Sequence, residues 1–78
     1  MKYFKTWVID KYIKMDNRFG DLAKDMKRDK SFPITKDKEK MEWYLIMNRA
    51  CPQCLEVFEE AYEEYEKSED YYSIMKNK

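Results

Sequence analysis

Seventy-eight residues, 44% of them hydrophobic and 17% aromatic, with 16 basic and 16 acidic side chains, describe one small domain with an aromatic core and leave no room for a second. The absence of His and the presence of a single Gly remove the commonest general base, the usual nucleophile triads and the glycine-rich phosphate loops. No apolar run reaches six residues, which excludes a membrane-spanning helix.

The net charge of zero hides an asymmetry. Residues 1–40 hold 12 Lys and Arg against 7 Asp and Glu, whereas residues 41–78 hold 4 against 9. Such halves either attract each other within one fold or present opposed contact surfaces to other molecules. The N-terminal stretch MKYFKTWVIDKY lacks the apolar core and cleavage pattern of a signal peptide, so the expected location is the cytoplasm. Two thiols fit a reducing compartment.

Few turn signals and no sustained alternation of apolar and polar residues point to helices throughout. Phe4, Trp7, Val8 and Tyr12 recur at helical spacing and predict a first helix over 2–14. The stretch MDNRFGD breaks it. Phe19, Leu22, Ala23 and Met26 then mark the apolar stripe of a short second helix. DKSFPITKD is the longest loop; Pro33 forbids helix at Phe32, and Phe32 is expected to plug into the core. A third helix starts near Lys36 or Asp37, with Thr35 or Asp37 as its cap, and runs to about Arg49. Pro52 suits the first position of a helix, where its missing N–H costs nothing, so a fourth helix begins at CPQC. Its expected buried stripe is Leu55, Phe58, Tyr62 and Tyr65, and its solvated face carries Glu56, Glu59, Glu60, Glu63 and Glu64. Residues 1–67 form the bundle, and 68–78 are a C-terminal extension that packs on the third helix or frays.

The third helix is apolar on both sides. Met41, Tyr44, Leu45 and Asn48 share one face, and Trp43, Ile46, Met47 and Ala50 the other. A helix of this kind is buried on both faces or keeps one for a partner. The tail, with Tyr71, Tyr72, Ile74 and Met75, is one candidate cover for Trp43 and Ile46, and a different chain is another.

In order along the chain stand FxxW at Phe4–Trp7, GDLA at Gly20–Ala23, DKSFP at Asp29–Pro33, YL at Tyr44–Leu45 and FEEAYEEY at Phe58–Tyr65. This set, spanning roughly residues 4–66, resembles the YozE-like family of small bacterial proteins, whose fold is similar to the sterile alpha motif. The resemblance implies an all-α fold, a compact bundle of four short helices; it implies no catalytic residues. Three features depart from the family pattern: the Cys51–Cys54 pair, Trp43 where small or polar residues are usual, and the continuation KSEDYYSIMKNK past the EEY segment.

CPQC is the one stretch with visible chemistry. Cys51 falls near the start of a helix and Cys54 one turn on, an arrangement that lowers a thiol pKa. A thioredoxin-like site needs a βαβ framework that the pattern lacks, and a tetrahedral zinc site needs about four ligands, which two Cys and no His supply only across a dimer. The plainest reading is a helix start, with Cys51 as cap and Cys54 as small filler. No cofactor and no metal are expected. The paired glutamates are a solvated helix face, and DNRFGD does not place oxygens at calcium-loop positions. An enzyme is therefore not expected.

The expected function is that of a small protein-interaction module. Domains similar to the sterile alpha motif often associate through one acidic and one basic surface. Here Lys24, Lys27 and Arg28, with Lys30, supply the basic candidate; Glu59, Glu60 and Glu63 supply the acidic one; Trp43, Ile46 and Met47 supply an apolar one. Nucleic-acid binding through the basic second helix and the following loop is the alternative, weakened by Asp21, Asp25 and Asp29 among the cations and by a pI near 6.3. A third reading makes the fourth helix an acidic decoy for a basic partner. A protein partner or self-association is thus expected before nucleic acid, and no membrane.

Overall fold

A computed structural model describes residues 2–69 and Tyr71. Among the described residues four helix elements follow one another: α1 (Phe4–Tyr12), α2 (Arg18–Arg28), α3 (Lys38–Met47) and α4 (Pro52–Glu66). No strand occurs among the described residues. The four-helix architecture matches the expectation, with α1 and α3 shorter at both ends than their periodicity suggests.

The helix ends follow from local chemistry. Asn17 caps α2, its side-chain oxygen accepting from the N–H groups of Phe19 and Gly20 at 3.0 and 3.1 Å. Asp37 caps α3 in the same way, accepting from Glu39 and Lys40, while Thr35 Oγ1 accepts from the Asp37 N–H at 3.1 Å. The two cap candidates therefore act in series. α3 stops at Met47 because Arg49 takes a left-handed conformation, φ 59°. The Arg49 N–H then donates to the Ile46 carbonyl and the Ala50 N–H to the Leu45 carbonyl, both at 3.0 Å. This pairing closes a helix with the last carbonyls satisfied, usually around a glycine. Asn48 adds a side-chain bond from its amide to the Tyr44 carbonyl at 2.8 Å.

The core is a stack of rings between α1 and α4. Phe4 meets Phe58, Tyr62 and Tyr65 with centroids 5.3, 5.5 and 5.5 Å apart, and Trp7 meets Tyr65 at 5.4 Å. Each such pair contributes about 0.5–1.5 kcal/mol beyond the burial of its area. Val8, Leu22, Ala23, Met26 and Met41 fill the spaces between the rings. The tyrosine hydroxyls, which cannot be left unpaired in an apolar interior, reach backbone at the periphery. Tyr65 donates to the Lys2 carbonyl at 2.8 Å and Tyr62 to the Lys36 carbonyl at 2.5 Å. The last helix thereby holds both the segment before α1 and the segment before α3.

Leu55 corrects the expected stripe of α4. It is only half-buried, and Val57 and Ala61 lie in the core instead, next to Phe58, Tyr62 and Tyr65. The stripe rotates because α4 packs against α1, α2 and α3, so the buried arc is wider than one helical row and shifted away from Leu55.

Two sequence features that look like turn chemistry have packing reasons. At Gly20 a Cβ would come within 1.9 Å of the Met15 carbonyl oxygen, so α2 crosses the end of the preceding turn at a distance only glycine permits. In DKSFP, Asp29 organises the loop. Its carboxylate accepts from the Ser31 N–H at 3.1 Å and from the Tyr44 hydroxyl at 2.7 Å, and its carbonyl accepts from Lys5 Nζ at 2.7 Å. Phe32 is buried as expected, its ring edge-on to Tyr44.

Candidate functional site

The helix α3 touches the rest of the bundle along one side. Met41 is fully buried, and Tyr44 and Leu45 pack partly against the core. About 100° per residue then carries Trp43, Ile46 and Met47 to the opposite side. There Trp43 is 64% exposed, Ile46 51% and Met47 61%. Large apolar side chains exposed singly are ordinary, but three on one short helix make a contiguous apolar face.

The tail is one of the two candidate covers for this face. Of its apolar residues Tyr71 is described, and its ring lies on Tyr62 and Tyr65, with centroids 6.3 and 5.4 Å away, rather than on Trp43. Lys36 Nζ sits 5.9 Å from its ring centre. Tyr72, Ile74 and Met75 lie outside the described residues.

The two charged candidates differ in how far they are already satisfied. On α4, Glu60 pairs with Arg18 at 2.8 Å and Glu59 with Lys38 at 3.8 Å. Both cations come from the basic first half of the sequence, so part of the charge asymmetry is consumed inside the fold. All four side chains remain about half exposed, and such pairs contribute little to stability. Glu63 is exposed and makes no ion pair among the described residues. On α2, Arg28 pairs with Asp25 at 2.5 Å, whereas Lys24 and Lys27 are exposed and make none among the described residues. The sequence pattern had no signal for the Arg18 and Lys38 pairings, because they join residues more than 20 positions apart.

Cys51 and Cys54 lie at the opposite end of α4 from its tyrosines. Cys51 is the N-cap residue of α4 and exposed; Cys54 is half-buried; both are free thiols. Their Sγ atoms are 3.0 Å apart, and the Cys54 N–H donates to Cys51 Sγ at 3.4 Å. The side-chain bond from Cys54, reinforced by backbone donors, lowers the Cys51 pKa. The same bond, followed by burial, raises that of Cys54. The pair opens on a hollow of about 150 Å³ lined also by Arg18, Asp21, Leu22, Asp25 and Val57. Among the described residues no three His, Cys, Asp or Glu side chains are grouped so as to hold a metal ion.

Motif order, helix count and the packing of FxxW against FEEAYEEY now meet in one architecture. A family model described as the YozE SAM-like fold matches residues 4–67. The chain belongs to this family. No curated protein and no solved structure matches the chain. Within the YozE SAM-like fold the quoted motifs have physical roles here: FxxW and FEEAYEEY build the aromatic stack, GDLA provides the close α1–α2 crossing, and DKSFP forms the loop organised by Asp29. Among the described residues no helix is long and apolar enough to cross a membrane.

Proposed function

We propose that this YozE-like chain is a non-enzymatic protein-interaction module of the cytoplasm, and that the outer face of α3 is its contact surface. The observation that carries this reading is the contiguous exposure of Trp43, Ile46 and Met47 on a helix anchored from its other side by Met41, with Tyr44 and Leu45 partly packed. Tryptophan and methionine are enriched at the centres of protein interfaces, and a rigid helix presenting them loses little conformational freedom on binding. Lys24 and Lys27 on α2 and Glu63 on α4 make no ion pair among the described residues, and they supply long-range orientation rather than the main attraction.

The acidic-decoy reading is weakened by Arg18 and Lys38, which already occupy Glu60 and Glu59. Nucleic-acid binding through α2 is weakened by the Arg28–Asp25 pair, which leaves Lys24 and Lys27 as the cations of that helix without an ion pair among the described residues.

The test is the mass of the chain by light scattering on a sizing column, over a range of concentrations and at low and high salt. Self-association through α3 gives a mass above 9.7 kDa that rises with concentration, ignores salt and is abolished by Trp43→Glu. A mass that falls with salt and is unchanged by Trp43→Glu moves the contact to the charged surfaces. A monomer under all conditions rules out self-association and leaves a different protein as the partner, sought with Trp43→Glu as the control bait.

A further inference from the structure

We propose that Cys51 and Cys54 form a reversible dithiol–disulfide site, in which Cys51 attacks a small disulfide of the glutathione class and Cys54 resolves the mixed disulfide.

Packing does not account for the pair. Neither cysteine belongs to the buried core, and Cys51 is exposed. Their Sγ atoms already face each other at 3.0 Å, so closing to a disulfide bond length of about 2.05 Å asks for a side-chain adjustment of about 1 Å. The two sulfurs also differ in the way exchange requires. Cys51 stands at the N-terminus of a 15-residue helix and accepts the Cys54 N–H, both of which favour a thiolate there. Cys54 lies half-buried behind it, protected from direct attack by a large molecule. Pro52 fixes the backbone between them at the first helical position. The hollow beside the pair has an apolar floor in Leu22 and Val57 and charges of both signs in Arg18, Asp21 and Asp25. It leaves open space beside Cys51 for the sulfurs of a small disulfide, whose remainder stays in solvent.

The exchange balances as follows. The Cys51 thiolate attacks one sulfur of the small disulfide; a Cys51–sulfur bond forms, the small S–S bond breaks, and one small thiolate leaves and takes a proton from solvent. Cys54 then gives its proton to solvent and attacks Cys51 Sγ, expelling the second small thiolate, which takes a proton from solvent as the first did. The protein dithiol is oxidised by two electrons, and the small disulfide is reduced to two thiols.

The proposal is independent of the α3 contact and has its own readout. The full chain is equilibrated in buffers of oxidised and reduced glutathione, quenched with acid, alkylated and weighed intact. The expected species is a monomer that has lost two hydrogens and takes up no alkyl groups, fully restored by excess reduced glutathione. Cys54→Ser should stop at one glutathione adduct, mapped to Cys51, with unchanged circular dichroism. A wild-type chain that keeps two alkylatable thiols across the buffer series overturns the proposal. So does one that forms only intermolecular dimers, or one in which Cys54 takes the adduct first.

Discussion

The two tryptophans of this chain have opposite fates. Trp7 is 7% exposed and lies within the ring stack of α1 and α4, touching Phe4, Tyr12 and Tyr65. Trp43 is 64% exposed on the outer face of α3. Both stand in helices of about ten residues with similar apolar content, so composition alone does not separate them. What separates them is the number of neighbours each helix has. α1 packs against both α2 and α4, whereas α3 is the peripheral helix, held by one side through Met41, Tyr44 and Leu45. An apolar residue on a peripheral helix is core only if something else arrives to cover it.

The strongest way to test this contrast is to remove matched rings. Phe4→Ala or Trp7→Ala should cost about 3–5 kcal/mol in denaturant unfolding, because the surrounding rings cannot collapse into the space. In a domain of this size that is a large part of the total stability, of the order of 0.05–0.15 kcal/mol per residue.

Gly20→Ala comes next. The Cβ meets the Met15 backbone at 1.9 Å, and backbone cannot rotate away as a side chain can, so the α1–α2 crossing must open. A loss of about 1–3 kcal/mol is expected, read as an earlier urea midpoint. If the melting temperature does not move, the crossing is looser than its geometry implies.

Alkaline pH tests the tyrosines of the buried region. Burial holds the Tyr62 proton well above the usual range, helped by the nearby Tyr71 and Glu66, and burial with Glu64 does the same at Tyr12. At Tyr44 the cause is the hydrogen bond to Asp29. All three protons are held more tightly in the folded chain than in the unfolded one. Their contribution to stability is therefore complete below the ordinary tyrosine value of about 10 and is lost as pH climbs past it. Urea midpoints measured from neutral to strongly alkaline pH should be level and then fall, and Tyr62→Phe should soften the fall.

Arg49→Gly should act in the other direction. Relieving the left-handed conformation at the end of α3 without disturbing the Ala50–Leu45 bond stabilises the chain by about 1 kcal/mol. The smallest effect is expected at Trp43. Trp43→Glu should change stability by no more than about 0.5 kcal/mol, in contrast to Trp7→Ala, while removing the α3 contact in the light-scattering assay. Acrylamide quenching of the two single-tryptophan variants sharpens the same contrast: Trp43 should quench readily and Trp7 hardly at all.

Much of this was legible in the residue pattern. The stripe Phe4, Trp7, Val8 and Tyr12, the plug Phe32 and the helix start at Pro52 all follow from spacing and local sterics, and all stand where the pattern puts them. The two-faced character of α3 was legible for the same reason, since Met41 and Trp43 differ by two positions and thus by more than half a turn. Leu55 was misread because the width of a buried arc depends on how many helices cover it, which periodicity does not encode. The Arg18–Glu60 and Lys38–Glu59 pairs, the Asp29 hub and the 3.0 Å approach of the thiols were out of reach, as each is set by tertiary placement or by rotamers. The Met15 contact of Gly20 belongs with them; a lone glycine within a helical stripe hints at close approach without naming its neighbour.

The tyrosine hydroxyl that reaches from α4 to the Lys2 carbonyl spans 63 positions of sequence, and the ring stack beneath it joins the same distant parts. Such contacts form late, since the loop between them must close first. On a ribosome, α1 therefore waits with Phe4 and Trp7 uncovered until α4 has been synthesised and has cleared the exit tunnel. Folding of this domain is completed by α4, and a nascent chain stalled before Phe58 would present a sticky aromatic helix to whatever chaperone stands nearby.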